Sequence, residues 1–220
     1  MAKVKLGVLV SGSGTNLQAI LDATRAGTLD ADVAVVISNQ ANARALERAK
    51  AAGVPTRVVS HRDFADRTAF DAEIVATLQR AEVTYVVLAG FMRVLTATFL
   101  DAFPWRVINI HPALLPAFPG IHAPRQALAY GVKVAGCTVH FVDAGTDTGP
   151  IIAQASVPVL DADTEETLSA RILEKEHRLL VAALAALAAG EVTVVAGDGQ
   201  ARPRVKLSER ALERLAEARL

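Results

Sequence analysis

Four short, β-branched apolar runs alternate with longer alanine- and leucine-rich stretches over the first ninety residues. Lys5–Val10, Val33–Ser38, Thr56–Val59 and Thr84–Ala89 read as strands, and Thr15–Ala26, Ala43–Ala52 and Arg67–Arg80 read as the helices between them. This alternation constrains the fold more than any other feature. Consecutive strands separated by a helix pair in parallel through right-handed crossovers. The runs are almost continuously apolar, as strands buried on both faces must be. The expectation is an α/β fold: an open, mostly parallel twisted sheet with helices on both faces.

The second half follows the same grammar less regularly. Val107–Ile110 and Gly136–Val142 read as two further strands. Between them, residues 112–124 carry Pro112, Pro116, Pro119 and Pro124, a density that forbids a regular helix or a central strand. Gly145–Pro150 reads as a second loop. A helix is expected from about Thr164 to Ala189, capped by Thr164 with Glu165 and Glu166 in its first turn. A strand pair near Val192–Ala196 and Arg204–Leu207 should follow. The tail from Ser208 reads as an amphipathic helix with Leu212 and Leu215 on one side. The organisation expected is one domain over residues 1–197 and a C-terminal extension over 198–220 packed on it.

Composition narrows the class. The 220 residues are 52% apolar and 21% charged, which supports a packed core and argues against disorder. Lys plus Arg and Asp plus Glu number 23 each, so no global charge draws the chain to nucleic acid. The single cysteine, Cys137, excludes an intramolecular disulfide and a four-cysteine zinc site. The apolar run ending at Val10 is too short to span a membrane, and no small-residue cleavage site follows it. A soluble, cytoplasmic protein without nucleic-acid or membrane partners is expected.

The first strand runs into Ser11-Gly12-Ser13-Gly14-Thr15-Asn16 and then a helix. Backbone amides and the helix dipole at such a junction favour an anion, phosphate above all. The loop is not a dinucleotide fingerprint, because Leu17 stands where a third glycine belongs and the second strand ends in Ser38-Asn39 without an acidic group. No Gly-Lys-Ser/Thr follows, so it is not a P-loop either. Two readings stand: a site for a phosphorylated small molecule, or a turn that only needs small residues.

Asn109 and His111 alternate with Ile110, so they share one face at the end of an apolar strand. An amide donor beside an imidazole suits acyl chemistry: one hydrogen-bonds a developing oxyanion, the other stabilises it or moves a proton. The competing reading is a satisfied core histidine and a turn-forming asparagine. Asp147, in Gly145-Thr146-Asp147-Thr148-Gly149, is by itself an ordinary turn residue, although a carboxylate beside an imidazole could orient the ring. His111, His122 and His140 lack metal-ligand spacing, so no metal is expected. No Gly-x-Ser-x-Gly elbow occurs, and Cys137 sits among Val134, Ala135 and Val139 as a packed thiol.

Asn109-Ile110-His111-Pro112-Ala113-Leu114-Leu115-Pro116, with Phe118-Pro119-Gly120 and Asp147-Thr148-Gly149-Pro150, resembles the folate-dependent formyltransferase family, whose members share Asn, His and Asp in this order. Residues 10–20 and Leu88–Leu95 narrow the resemblance to the branch that formylates glycinamide ribonucleotide in purine biosynthesis. It covers about residues 4–197. The resemblance implies a Rossmann-like formyltransferase fold and catalysis by Asn109, His111 and Asp147. It implies 10-formyltetrahydrofolate as co-substrate, attacked directly by the glycyl amine through a tetrahedral intermediate. It assigns Gly12, Ser13, Gly14, Thr15 and Asn16 to the ribose phosphate and Glu176 to the ribose. Read alone, Glu176 is an exposed helix carboxylate. Met92, Arg93, Val94 and Leu95 on one side, and Val142, Asp143, Ala144, Gly145 and Thr146 on the other, match the walls of the folate pocket. Arg67 matches an arginine facing the glutamate tail.

The chain departs from the family at Pro124, where many relatives carry a histidine, and in a longer tail. The basic C-terminal domain of methionyl-tRNA formyltransferases and the N-terminal regulatory domain of formyltetrahydrofolate hydrolases are not expected here. Sugar-nucleotide formyltransferases lack the Gly-Ser-Gly-Thr-Asn loop. Outside the family, the alternative is a non-catalytic nucleotide-binding module on the same sheet, against which Asn109, His111 and Asp147 speak. A monomer or a homodimer is expected.

Overall fold

The computed structural model describes residues 3–198 and 201–219. The chain divides into two compact units, one running to Asn109 and one starting at Ile110.

The first unit is built on β1 (Val4–Val10), β2 (Ala31–Ser38), β3 (Thr56–Val58), β4 (Tyr85–Leu88) and β5 (Val107–His111), whose end lies in the second unit. These strands lie in the order β3-β2-β1-β4-β5, all parallel. The crossovers are α1 (Thr15–Ala26), α2 (Arg44–Ala51), α3 (Arg67–Arg80) and the short α4 (Ala97–Ala102). Right-handed connections put α1 and α2 on one face and α3 and α4 on the other, and each pair packs side by side. Val8, Leu9, Val36, Ile37, Val86 and Val87 are buried between these layers, which is why the strands carry no polar alternation. Helix ends follow local chemistry. α1 stops at Gly27 in the left-handed conformation, and the Asp66 carboxylate caps α3 by accepting the Ala69 amide at 2.8 Å. Strand order reverses at β1 and β4, the place where open α/β sheets bind ligands beyond the strand ends.

The second unit contains α5 (Ala123–Tyr130), an antiparallel pair β6 (Val134–Phe141) and β7 (Ile151–Pro158), the long α6 (Glu165–Ala188), a separate antiparallel ribbon β8 (Val192–Val195) and β9 (Arg204–Leu207), and α7 (Glu209–Arg219). α6 begins with a reciprocal box: Thr164 accepts the Thr167 amide and Thr167 accepts the Thr164 amide. α7 packs on α6 and β7.

Four elements differ from the sequence reading. β7 lay outside it, because Gln154, Ser156 and Pro158 break the apolar run, and its stability comes from pairing with β6. α4 and α5 are too short to show a helical period, and α5 starts inside the proline-rich segment with Pro124 in its first turn. In α7 the buried pair is Ala211 and Leu215, whereas Leu212 is 51% exposed. Positions 211 and 215 stack one helical turn apart, and the contact with α6 and β7 is narrow enough to leave 212 outside it. With five parallel strands, and the antiparallel pairs β6–β7 and β8–β9 added to them, the mostly parallel α/β class holds.

Candidate functional site

In the first unit the predicted phosphate loop, Gly12 to Asn16, links β1 to the N-terminus of α1, whose first amides have no intrahelical acceptor. Gly14 sits at the N-cap with φ 71°, and a Cβ there would stand 2.5 Å from the Ala45 Cβ. The glycine is therefore required by close packing on α2 as well as by conformation. Gly12 has open space instead, with no atom within 4 Å of where a Cβ would stand. α2 braces the loop: the Ala45 amide donates to the Gly12 carbonyl at 3.1 Å, and Arg48 Nε donates to the Ser13 carbonyl at 2.9 Å. A guanidinium behind the amides adds positive charge that suits a phosphate.

Ser11 ties three strand ends together. Its amide donates to the Gly90 carbonyl at 3.0 Å, its hydroxyl donates to Asn39 Oδ1 at 2.7 Å, and the Met92 amide donates to that hydroxyl at 2.9 Å. The segment predicted to meet folate is thereby anchored at its start. Buried Asp71 anchors its end by accepting from the Thr96 amide and hydroxyl at 2.6 and 2.7 Å. Between these anchors Met92 is 71% and Val94 55% exposed, while Leu95 is buried and Arg93 half-buried. Exposed apolar side chains on a pinned backbone fit a flat heteroaromatic ring. Arg67 is exposed in the first turn of α3, where a cation opposes the helix dipole and local folding gains nothing from it.

In the second unit the structure brings His111 and Asp147 together. His111, buried at the end of β5, has Nδ1 3.4 Å from Asp147 Oδ2, and its Nε2 donates to the Phe118 carbonyl at 2.9 Å. The tautomer on that side follows from the carbonyl, which can only accept. Asp147 Oδ2 also accepts the Gly120 amide at 2.8 Å. The proline-rich segment thus wraps the pair through Phe118 and Gly120. Its course is set by Thr138 of β6, which donates to the Ala113 carbonyl at 2.6 Å and accepts the Leu115 amide at 3.0 Å, and by Gln154 of β7, which donates to the Leu115 carbonyl at 2.8 Å. Asn109, on β5 two residues before His111, is half-buried.

His140 was considered in the sequence only as a metal ligand. The structure buries it with Nδ1 donating to the Phe141 carbonyl at 2.9 Å and Nε2 3.7 Å from Asp147 Oδ1. Burial holds its imidazole below the ordinary value, against the opposing pull of the Phe141 carbonyl and Asp147. Its signal in the sequence was strand alternation, which sets His140 on the same face of β6 as Thr138. Asp71, Thr138 and Gln154 carry no motif and become visible only through their partners, and the bracing role of Ser11, the first residue of the glycine loop, shows only through its own.

The remaining predicted residues fall as follows. Val142 and Asp143 are half-buried and Ala144, Gly145 and Thr146 exposed, on a loop closed by Asp143 Oδ1, which accepts from the Gly145 amide at 3.1 Å and the Thr148 hydroxyl at 2.6 Å. Glu176 is only 6% exposed, contrary to the reading as a surface carboxylate. It faces Cys137, whose thiol is pushed up to about 12, first by burial and then by the Glu176 charge. Pro124 is buried in the first turn of α5, where a missing N–H costs nothing.

Comparison with known proteins agrees with this arrangement. The family described as formyl transferase matches residues 4–184. A phosphoribosylglycinamide formyltransferase of Mycobacterium tuberculosis is 54% identical over 194 residues, covering 88% of this chain and 89% of its own. The trifunctional purine biosynthetic protein adenosine-3 of Drosophila melanogaster is 50% identical over 192 residues, covering 86% of this chain, which spans only 14% of that longer protein. The crystal structure of glycinamide ribonucleotide transformylase 1 from Symbiobacterium toebii superposes with a TM-score of 0.90 at 52% identity, covering 94% of this chain and 95% of its own. A mostly parallel α/β fold, a strand-end His–Asp pair and a family match over most of its length place this chain in the formyl transferase family.

Proposed function

We propose that this chain transfers the formyl group of 10-formyltetrahydrofolate to the glycyl amine of glycinamide ribonucleotide, giving formylglycinamide ribonucleotide and tetrahydrofolate in purine biosynthesis. The observation that carries the reading is the His111–Asp147 pair at the end of β5, together with the likeness to the Mycobacterium tuberculosis enzyme over nearly the full length of both chains. The co-substrate supplies the formyl carbon. The side-chain amide of Asn109 donates to the oxygen that gains charge as the amine adds to that carbon. His111 donates from Nε2 to the same oxygen, which replaces the Phe118 carbonyl as acceptor. Asp147 orients the ring through Nδ1, and the imidazole–carboxylate pair helps carry the proton from the amine to the departing folate nitrogen. The Gly120 amide keeps Asp147 in place.

Gly12 to Asn16 hold the phosphate with their amides, and Glu176 accepts from the ribose hydroxyls. Met92 to Leu95 and Val142 to Thr146 hold the folate ring, with Arg67 toward its anionic tail. The cytoplasmic location expected of such an enzyme belongs to the same proposal. Among the described residues, no helix is long and apolar enough to cross a membrane. The test is a formyl-transfer assay with glycinamide ribonucleotide and 10-formyltetrahydrofolate on the wild type, His111→Ala and Asp147→Asn. Each variant should lose about 100-fold or more in kcat, the scale of one acid–base or oxyanion group, with an unchanged circular dichroism spectrum. Near-normal turnover in both variants removes the assignment.

A further inference from the structure

The 143–149 loop carries Asp147 in a left-handed conformation, φ 54°, which a non-glycine residue holds only when its surroundings impose it. Inside the loop, Asp143 supplies one constraint through its bonds to Gly145 and Thr148. The outer flank borders a cleft of about 470 Å3, lined by Pro116, Pro119, Ile151 and Val205 among others, which separates it from the start of β9. One side chain bridges that cleft. Arg202 Nη2 donates to the Thr148 carbonyl at 2.6 Å and lies 3.9 Å from Asp143 Oδ2. Thr148 is the residue after Asp147.

The base of Arg202 is held as well. Pro203 follows it, restricting its backbone to extended conformations. Beyond lies β9, paired residue by residue with β8. Before it, the Ala201 amide donates to Asp198 Oδ1 at 3.0 Å. The guanidinium is therefore presented from a segment that leads directly into a paired strand. Its bond to a carbonyl is charge-assisted and directional, whereas its exposed pairing with Asp143 adds little.

We propose that Arg202 is a positioning residue for formyl transfer: from the C-terminal ribbon it holds the 143–149 loop, and with it Asp147, in the conformation that faces His111. The proposal rests on reading Asp147 as catalytic. It gives the C-terminal ribbon a part in turnover.

The experiment compares the full-length wild type with Arg202→Met and Arg202→Lys by two measurements. Hydrogen exchange of the amides of residues 144–148 reports the loop without reference to activity. Steady-state kinetics separate kcat from the KM for glycinamide ribonucleotide. Arg202→Met should speed loop exchange and lower kcat by about threefold to tenfold, the range of one charge-assisted hydrogen bond reduced by solvent. The KM for glycinamide ribonucleotide and the melting temperature should not change, because Arg202 is 70% exposed and distinct from the phosphate loop. Arg202→Lys should recover part of both losses. Wild-type exchange and kcat in Arg202→Met overturn the proposal, and so does a fall in kcat with unaltered loop exchange. A wild type without formyl transfer removes the catalytic reading of Asp147, while the exchange data still decide whether Arg202 holds the loop.

Discussion

Gly12 and Gly14 stand two residues apart and answer to different forces. Gly14 combines a positive φ with contact against Ala45, so Gly14→Ala should cost about 1–3 kcal/mol in a urea melt. A Cβ on Gly12 would meet no protein atom within 4 Å, so Gly12→Ala should keep stability within about 0.5 kcal/mol. On the proposed phosphate site it should instead raise the KM for the phosphorylated substrate, since the methyl enters the space assigned to the ligand. A second residue-scale consequence concerns Cys137. Its folded thiol is raised from 9.0 to about 12 while the unfolded thiol is not. The unfolded state therefore releases a proton first as pH rises. The stabilising contribution is complete below pH 9 and is lost between there and the folded value, at up to about 1.4 kcal/mol per pH unit. Chemical melts from pH 8 to 10.5 should fall more steeply for the wild type than for Cys137→Ala. At this scale, Asn109 and His111 were legible because strand alternation places them on one face. Asp147 was not, since its partners Gly120 and His111 lie 27 and 36 positions away in sequence.

At the scale of elements, local chemistry decides most boundaries. α1 and α3 match their predicted spans because a left-handed Gly27 and a capping Asp66 mark the ends within the sequence itself. α6 starts where Thr164 is expected to cap it, and Thr164→Ala should cost about 1 kcal/mol in thermal or urea melts. An unchanged midpoint would mean that burial of the helix alone sets its start. β7 shows the opposite regime. Its residues do not announce a strand, and its register, with Ala155 opposite Cys137 and Val157 opposite Ala135, exists only because β6 is already there. Ser11 belongs to this scale too: one hydroxyl links the ends of β1, β2 and β4, so a loop read as a phosphate cradle also fixes Met92.

At the scale of the whole chain, the C-terminal extension is part of a core. Ala211 and Leu215 are fully buried where α7 packs on α6 and β7. Leu215→Ala should therefore destabilise by about 2–5 kcal/mol, while Leu212→Ala stays within about 0.5 kcal/mol. Urea denaturation of the two variants checks this contrast. If Leu215→Ala unfolds like the wild type, the extension is not integral to the second unit. Arg202, two residues before β9, ties this end of the chain to the loop that carries the proposed chemistry.

The sequence by itself determined the class of fold, the first three crossovers between parallel strands, the glycine loop at the head of α1 and the polar couplet that ends β5. These depend on periodicity, glycine conformation and alternation, which act over a few residues. Tertiary structure alone decided that Asp147 meets His111, that Glu176 is buried, that His140 faces the same carboxylate and that Arg202 reaches Thr148. Each of those outcomes depends on residues distant in sequence that only the folded chain brings together, and no local preference of the chain encodes it.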